Sequence, residues 1–291
     1  MNKFFKITNF VLLPTLVFST NVFSFSCKIN RKDKNNYLNL PNKIGTWIWD
    51  YKKITNEHLE FAQKNNIKEI YVKVYKIGQN EKIFLDKLKQ KNFDIYLLLG
   101  KKEWINNSKE LKEKIEWYKN VQKEFNYFKG IHLDIEPHQY TQEFKNLEKR
   151  RELLTKFVNL IYELKTNYSN VKFDYDIPFW FKDLITFNNQ TKKVYEHIID
   201  NSNRVFIMSY RDKTNKILDI SKEIINYAKN IQKEITLSVN TQNLKNEKNT
   251  YFFNKQHLKK ELLDLSKKVS VNINFAIHHL DTWFNLKESD K

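Results

Sequence analysis

Two acidic side chains lie two residues apart in the stretch KGIHLDIEPHQY, residues 129–140. Side chains alternate between the two faces of a strand, so His132, Asp134 and Glu136 share one face and the apolar residues between them share the other. Two carboxylates that are close together and partly withdrawn from water disfavour each other's ionisation. This arrangement is typical of acid–base catalysis, although structural ion pairs can produce the same pattern.

These acids belong to a chain in which short β-rich runs alternate with helical stretches eight times. The predicted strands are residues 43–50, 67–75, 93–100, 130–137, 171–180, 204–210, 234–240 and 271–279. Thr55 is the predicted N-cap of the first helix. The clearest helical spacing follows Tyr140, where apolar residues recur on one face: Leu147, Leu154, Phe157, Ile161 and Leu164.

Eight strand–helix units over residues 43–291 predict an α/β fold in the form of a single (β/α)8 barrel, the TIM barrel. Catalytic groups of such barrels lie at the C-terminal ends of the strands, where Asp134 and Glu136 fall. A doubly wound open sheet would alternate in the same way. However, the loop after the first predicted strand reads WIWDYKK and lacks the glycine-rich phosphate turn that such folds often use.

Aromatic residues gather at the same end of the predicted barrel. Five of the six tryptophans fall at or just after predicted strand ends: Trp47, Trp49, Trp104, Trp180 and Trp283. Flat aromatic faces suit the apolar C–H faces of sugar rings. The pattern therefore predicts a groove that binds a carbohydrate, and the alternative for each tryptophan is an ordinary core position.

The segment from Lys129 to Glu136 resembles the fourth-strand motif D-G-x-D-x-D-x-E of family 18 glycoside hydrolases, the chitinase-like (β/α)8 enzymes. Gly130, Asp134 and Glu136 match the motif. Lys129 and His132 stand where the motif has its first two aspartates. The series of acids that would tune Asp134 is therefore changed in this chain.

Two further segments resemble the same family. Met208-Ser209-Tyr210, followed by Asp212, is similar to its sixth-strand M-x-Y-D, with one residue inserted. Trp283 is similar to the tryptophan that forms the floor of the sugar site. The resemblance covers residues 43–291 and implies a glycosidase that needs no cofactor.

The hydrolysis of a glycosidic bond needs a proton for the leaving oxygen and a group that stabilises positive charge on the sugar, commonly from two carboxyl groups. Glu136 is the predicted proton donor, because the neighbouring charge of Asp134 favours its protonated form. The seventh strand, EITLSVNTQN, ends in amides instead of a second carboxylate. Substrate assistance fills this gap: the 2-acetamido group of an N-acetylated sugar attacks its own anomeric carbon, oriented by Asp134, while Tyr210 donates to its carbonyl oxygen.

Other polar and aromatic residues near the strand ends are predicted to bind the sugar: Trp47, Trp49, Asp174, Asp176, Trp180, Asp212, Asn240, His278 and Trp283. The alternative for the aspartates is a hydrogen-bonded ring that holds the mouth of the barrel.

Two other functions stay open on the sequence alone. The first is a metal-dependent barrel hydrolase, such as a phosphodiesterase or a deacetylase, because imidazole and carboxylate groups suit divalent metals. Its candidate ligands are His132, Asp134, Glu136, His138, His278 and His279, although they show no paired-histidine helix or tight spacing. The second is a barrel that binds glycans without cleaving them, against which the retained Glu136 argues.

The formal charge of +17 is compatible with an acidic partner. The lysines are scattered along the chain, and neither a zinc-finger spacing nor an RNA-recognition signature is present. A solvated basic surface is therefore the interpretation, and no nucleic-acid partner is expected.

The first 26 residues have the pattern of a signal peptide. A short basic region precedes an apolar run from Phe10 to Phe18, and Ser24-Phe25-Ser26 offers small residues at the positions that a signal peptidase reads. The apolar run is too short for a stable membrane span. The protein is therefore predicted to be exported.

Cys27 is the single cysteine of the chain, so no intramolecular disulfide can form. Its position resembles that of the lipidated first residue of a bacterial lipoprotein. The polar residues 27–42 then predict a tether that leads to the barrel domain, residues 43–291. We expect display in the periplasm or at the cell surface through a lipid anchor; secretion after cleavage at the same bond is the alternative.

Overall fold

The chain folds into a closed barrel of eight parallel strands, which a computed structural model describes for residues 37–243, 250–270 and 272–289. The barrel strands are β1 (Ile44–Ile48), β2 (Ile67–Val72), β3 (Asp94–Leu99), β4 (Phe128–Leu133), β5 (Phe173–Pro178), β8 (Arg204–Met208), β9 (Glu234–Asn240) and β10 (Ile273–His278). Neighbours in this order pair in parallel, and β10 pairs with β1 to close the barrel. The predicted (β/α)8 fold and all eight predicted strands are confirmed.

Helices cover the outside of the barrel. They are α1 (Asn56–Lys64), α2 (Gln79–Gln90), α3 (Lys109–Phe125), α4 (Thr141–Lys145), α5 (Leu147–Asn167), α6 (Val194–Asn201), α7 (Thr214–Asn230), α8 (Lys255–Lys268) and α9 (Leu280–Phe284). Thr55 is the N-cap of α1, as predicted. The predicted apolar face of α5 is buried except for Leu147, which is the first residue of the helix and is exposed.

An antiparallel hairpin interrupts the alternation between β5 and α6. It consists of β6 (Leu184–Phe187) and β7 (Gln190–Lys193). Its two central residues, Asn188 and Asn189, both have a positive φ, as the common two-residue hairpin turn requires. Phe187 packs against Tyr162 of α5, which holds the hairpin on the outer layer.

The interior of the barrel begins with a buried charge cluster at its amino-terminal side. The guanidinium of Arg204 donates to both carboxylate oxygens of Glu69, at 3.0 and 2.7 Å, and to Oδ2 of Asp174 at 2.7 Å. The hydroxyl of Tyr71 also donates to Glu69. All these side chains are buried, and their mutual pairing offsets much of the cost of removing the charges from water.

An aromatic layer follows on the carboxyl side of this cluster. It consists of Trp47, Tyr71, Leu98, Phe206 and Ala276. The ring of His132 lies within this layer, stacked on Tyr71 and edge-on to Phe206, with centroid distances of 4.5 Å in both cases. Large side chains thus fill the barrel below its carboxyl end, so the interior is a core and not a channel.

The last residues of the predicted tether pack against the barrel. Leu38 and Leu40 are buried, and the backbone N–H of Leu38 donates to Oδ1 of Asn65 at 2.9 Å. The barrel unit accordingly covers Asn36–Lys291. The predicted signal peptide and Cys27 lie outside the described residues, as does the rest of the tether up to residue 36.

Within the described parts of the chain, no helix is long and apolar enough to cross a membrane.

Candidate active site

Inward-facing side chains at the carboxyl ends of the strands form a mouth. We use this name for Trp49, Lys73, Asp134, Glu136, Tyr210, Asn240 and His278. Contacts connect them around the barrel: Lys73 lies over the Trp49 ring, Trp49 is bonded to His278, and the His278 ring lies 6.1 Å from that of Tyr210. Asp134 lies near this series, because the charges of Lys73 and Glu136 both act on it.

Asp134 extends β4 by one residue, and its backbone N–H donates to the carbonyl oxygen of Leu99 on β3. A methyl group on Gly100 would overlap the carbonyl oxygen of Asp134, so glycine permits the close approach of the two chain segments. Burial, and after it the charges of Asp176 and Glu136, raises the pKa of Asp134 well above its usual range. Lys73 acts in the opposite direction.

Glu136 lies where the extended chain turns into the 3-10 turn Pro137–Gln139. The side chain is 21% exposed, so a ligand can reach it. Its Oε1 lies 3.6 Å from Nε2 of His138, and its Oε2 accepts from the side-chain amide of Gln139. These neighbours orient the carboxyl group at the rim of the mouth.

Trp180 provides an aromatic face close to this carboxyl group. The imidazole of His138, which contacts Glu136, packs edge-on against the Trp180 ring with a centroid distance of 5.3 Å. Trp180 is 38% exposed. The structure thus brings the predicted proton donor and a predicted sugar-stacking residue to the same side of the mouth.

Asp176 and His132 form a buried pair next to Asp134. Nε2 of His132 lies 2.6 Å from Oδ2 of Asp176, and the indole N–H of Trp47 donates to the same ring nitrogen at 3.2 Å. Burial lowers the pKa of His132 to about 3, so the ring is neutral at pH 7. Burial, followed by the charge of Glu136, raises the pKa of Asp176 well above its usual range.

His278 and Asn240 hold Trp49 in place. The indole N–H of Trp49 donates to Nε2 of His278 at 2.9 Å, so this nitrogen carries the lone pair and Nδ1 carries the hydrogen. Nδ1 lies 3.4 Å from Oδ1 of Asn240, and Asn240 exchanges two hydrogen bonds with the backbone of Gln242. Both residues were predicted to bind the sugar themselves, and the structure shows them bonded to protein groups.

Tyr210 lies two residues beyond the end of β8, on the side that faces the mouth. Its backbone carbonyl accepts from the guanidinium of Arg211 at 2.7 Å and from the N–H of Thr250 at 3.4 Å. Asp212 follows and is half-buried. The segment is therefore anchored through its backbone, which fixes where the Tyr210 side chain starts.

Three tryptophans from the predicted groove are core residues. Trp47, Trp104 and Trp283 are 1%, 3% and 2% exposed. Trp283 belongs to α9, which turns its ring onto Phe61 of α1, with ring centroids 4.9 Å apart. No face of Trp283 is left for a sugar, so we do not retain it as the floor of the site. The tryptophans that can still face a sugar are Trp49, in the mouth, and Trp180, beside it.

Asp174 also lies away from the mouth. It is the second residue of β5, and its carboxylate is bonded to Arg204 in the cluster at the amino-terminal side. We therefore assign Asp174 to the barrel interior and not to substrate binding. Asp176, two residues further along the same face, is one layer closer to the mouth.

Among the residues that the structure describes, no group of three or more histidine, cysteine, aspartate or glutamate side chains is arranged to hold a metal ion. A cavity of about 980 Å³ lies elsewhere, at the amino-terminal side between α7, α8 and the starts of β9 and β10. Its walls carry five lysines and none of the mouth residues. We therefore place the candidate site at the mouth and not in this cavity.

Lys73 is a mouth residue that the sequence reasoning missed. Its ammonium lies 5.2 Å from the centre of the Trp49 ring and 5.5 Å from that of Tyr75. Glu69 and Tyr71 of β2 and Lys73, the first residue after the strand, occupy every second position, so the same alternation that singled out Asp134 and Glu136 could have identified Lys73. Lys73 brings positive charge to a site of three carboxyl groups.

Solved structures with a similar barrel include two bacterial enzymes. A GH18 chitinase from Pseudoalteromonas aurantia is 10% identical, with a TM-score of 0.56, and the alignment covers 82% of this chain and 95% of the chitinase. The spore cortex-lytic enzyme SleL of Bacillus megaterium is 12% identical, with a TM-score of 0.50, over 87% of this chain and 76% of that one. No family model and no curated protein matches the chain. At this identity the similarity shows the fold, and it confirms the barrel that the resemblance to family 18 glycoside hydrolases implies.

The half-buried, neutral His278 should make the protein less stable in acid. Burial lowers its pKa to about 3, whereas a histidine in the unfolded chain titrates near about 6.5, so the unfolded state binds the extra proton between these values. Stability is therefore lost as the pH falls from about 6.5 towards 3.

His278→Gln should reduce the slope of unfolding free energy against pH by up to about 1.4 kcal/mol per pH unit in this window. Chemical denaturation at a series of pH values measures the slope. An unchanged slope would show that His278 is already charged in the folded protein.

Proposed function

We propose that the protein is a glycoside hydrolase that cleaves glycans containing 2-acetamido sugars and retains the anomeric configuration by substrate assistance. The observation that carries this proposal is the placement of Glu136, Asp134 and Tyr210 in one mouth, next to the exposed face of Trp180. The barrel fold shared with a chitinase supports it.

Glu136 has the position of the general acid. Its side chain is 21% exposed, and its neighbours His138 and Gln139 orient it. Protonation of the leaving oxygen by Glu136 would let the glycosidic bond break without expulsion of an alkoxide.

Asp134 and Tyr210 supply the complementary contacts to the acetamido group. In the proposed reaction the acetamido oxygen attacks the anomeric carbon and forms an oxazolinium ring. Asp134 accepts from the nitrogen of this ring and offsets its positive charge, while the phenol of Tyr210 donates to its oxygen. Water then opens the ring, with Glu136 as the base, and the configuration is retained.

The seventh barrel strand, β9, ends in an amide, which favours a nucleophile that comes from the substrate. In β9 the single acid is Glu234, at the amino-terminal start of the strand, and the strand ends in Asn240. Asn240 is bonded to Gln242 and His278. The strand end that often carries the second carboxylate in barrel hydrolases therefore carries a structural amide here.

The role of Glu136 can be tested by Glu136→Gln, which keeps the shape of the side chain and removes its acidic proton. Turnover should fall by roughly two to four orders of magnitude, while thermal unfolding and sugar binding stay close to wild type. The substrates are chitin oligosaccharides, peptidoglycan, N-glycans and poly-N-acetylglucosamine. Glu148→Gln, at an exposed position of α5, is the control. Near wild-type turnover of Glu136→Gln would refute the assignment.

Substrate assistance predicts strong inhibition by a thiazoline mimic of the oxazolinium intermediate, because catalytic sites bind species near the transition state most tightly. Asp134→Asn and Tyr210→Phe should weaken this inhibition and slow hydrolysis together. The first product should have the same anomeric configuration as the substrate. Inversion, or equal cleavage of a sugar without the acetamide, would show direct activation of water instead.

We further propose that the protein is exported and anchored by a lipid on Cys27. This proposal depends on the signal-peptide pattern of residues 1–26, which lie outside the described residues. Metabolic labelling with a fatty-acid analogue should mark the wild type and not Cys27→Ser. Equal labelling of the two proteins would contradict the lipid anchor and leave secretion as the alternative.

A further inference from the structure

Two carboxyl groups face the barrel interior from adjacent strands at one level. His132 is opposite Asp174 and Leu133 is opposite Tyr175 in the pairing of β4 with β5. The same register continued by one residue places Asp134 opposite Asp176 on the inward faces of strands about 4.8 Å apart. Asp134 and Asp176 are thus close neighbours in a partly enclosed space.

Asp176 is held by groups that carry no positive charge. Its Oδ2 contacts the neutral ring of His132 at 2.6 Å, and Trp47 approaches the same ring nitrogen. Its Oδ1 is buried and has no hydrogen-bond partner among the described residues. Among those residues, no lysine or arginine forms an ion pair with Asp176, although Asp174 on the same strand is bonded to Arg204.

The charged groups around the pair are few and come from four strands or their ends. Glu136 approaches from β4, and Asp174 lies one layer below with Arg204 of β8. Lys73, from the end of β2, affects Asp134. Burial is the main cause that raises the pKa of both carboxyl groups, and the negative charges of nearby acids raise it further. Two such groups cannot both ionise without a large cost.

We propose that Asp134 and Asp176 hold one proton between them, and that Asp176 is the positioning residue that keeps Asp134 able to carry the negative charge of the pair. This inference assumes the proposed function for its catalytic consequence. The pair carries one proton and one negative charge, so no further proton donor is required.

The consequence for catalysis is an ionised Asp134 that faces the substrate. With the proton on Asp176, Asp134 is ionised and can accept from the acetamido nitrogen as positive charge develops on the sugar. Nε2 of His132 accepts from the indole N–H of Trp47 and therefore carries a lone pair, so its 2.6 Å contact with Oδ2 favours the arrangement in which Asp176 holds the proton and donates. An aspartate at position 132 would add a charge instead.

The first experiment does not depend on activity. Infrared spectroscopy of the resting protein at neutral pH measures the absorption of protonated carboxyl groups. Asp176→Asn should remove the contribution of one such group, because the amide has no acidic proton and Asp134 remains as the ionised carboxylate. Asp183→Asn is the control, since it removes a carboxylate that is ion-paired with Arg150, and it should leave this absorption unchanged. An Asp176→Asn spectrum equal to that of the wild type would overturn the proposal.

The second experiment compares two substitutions at the same position on a glycan that the wild type cleaves. Asp176→Asn keeps a hydrogen-bond donor and should lower kcat less than about tenfold, with loss of one ionisation from the pH profile. Asp176→Val removes the donor and should lower kcat by roughly two to three orders of magnitude. Equal losses in both variants, with an unchanged pH profile, would assign Asp176 a merely structural role.

The two experiments separate this inference from the proposed function. If no glycan is cleaved by the wild type, the proposed function fails and the infrared comparison still decides whether the proton is shared. If Asp176→Val does not fold, as thermal unfolding would show, the infrared result and the pH profile of Asp176→Asn still decide it.

Discussion

The buried ion cluster of Arg204 fixes the frame in which the rest of the barrel is arranged. A guanidinium or carboxylate left unpaired in this interior would cost about 3–5 kcal/mol, so the pairing with Glu69 of β2 and Asp174 of β5 constrains how the strands pair. Once the register is set, alternation decides which side chains lie nearer the mouth. Lys73 lies four residues after Glu69, and Asp176 lies two residues after Asp174. Each therefore shares a face with the earlier residue and lies closer to the mouth. The candidate site is thus positioned by an interaction at the opposite end of the barrel.

Most of the fold could be predicted from the sequence, because the eight strands are apolar runs that alternate with amphipathic helices. The hairpin of β6 and β7 could not be found in that way, since its strands are four residues long and half polar. Its signal was the turn Asn188-Asn189. The chain has four glycines, and residues with positive φ in the described parts are asparagines and one glutamine: Asn66, Asn92, Asn126, Asn188, Asn189 and Gln232. Asparagine tolerates this conformation better than most residues, so few glycines did not mean few tight turns.

The sequence predicted some residues of the candidate site but not the contacts between them, and this difference has a physical reason. Position along a strand is a local property, so Asp134, Glu136 and Tyr210 could be assigned to the strand ends from alternation and a motif. Contacts between strands depend on register, which local patterns do not contain. The bond between His132 and Asp176 could therefore not be inferred. Burial is equally nonlocal, and for that reason the tryptophan pattern did not separate the exposed Trp180 from core residues such as Trp283.

Charge balance explains why a histidine is compatible with position 132. Arg204 is already committed to its own carboxylates, so Lys73 is the cation that lies beside the acids of the mouth. A neutral imidazole gives Asp176 a hydrogen-bond partner at no cost in charge, whereas another acid at this position would increase the repulsion that Asp134 experiences. Three acids and one lysine in a partly enclosed space favour retention of protons by some of the acids. A protonated carboxyl beside an ionised one is the state that general acid catalysis by Glu136 requires near neutral pH.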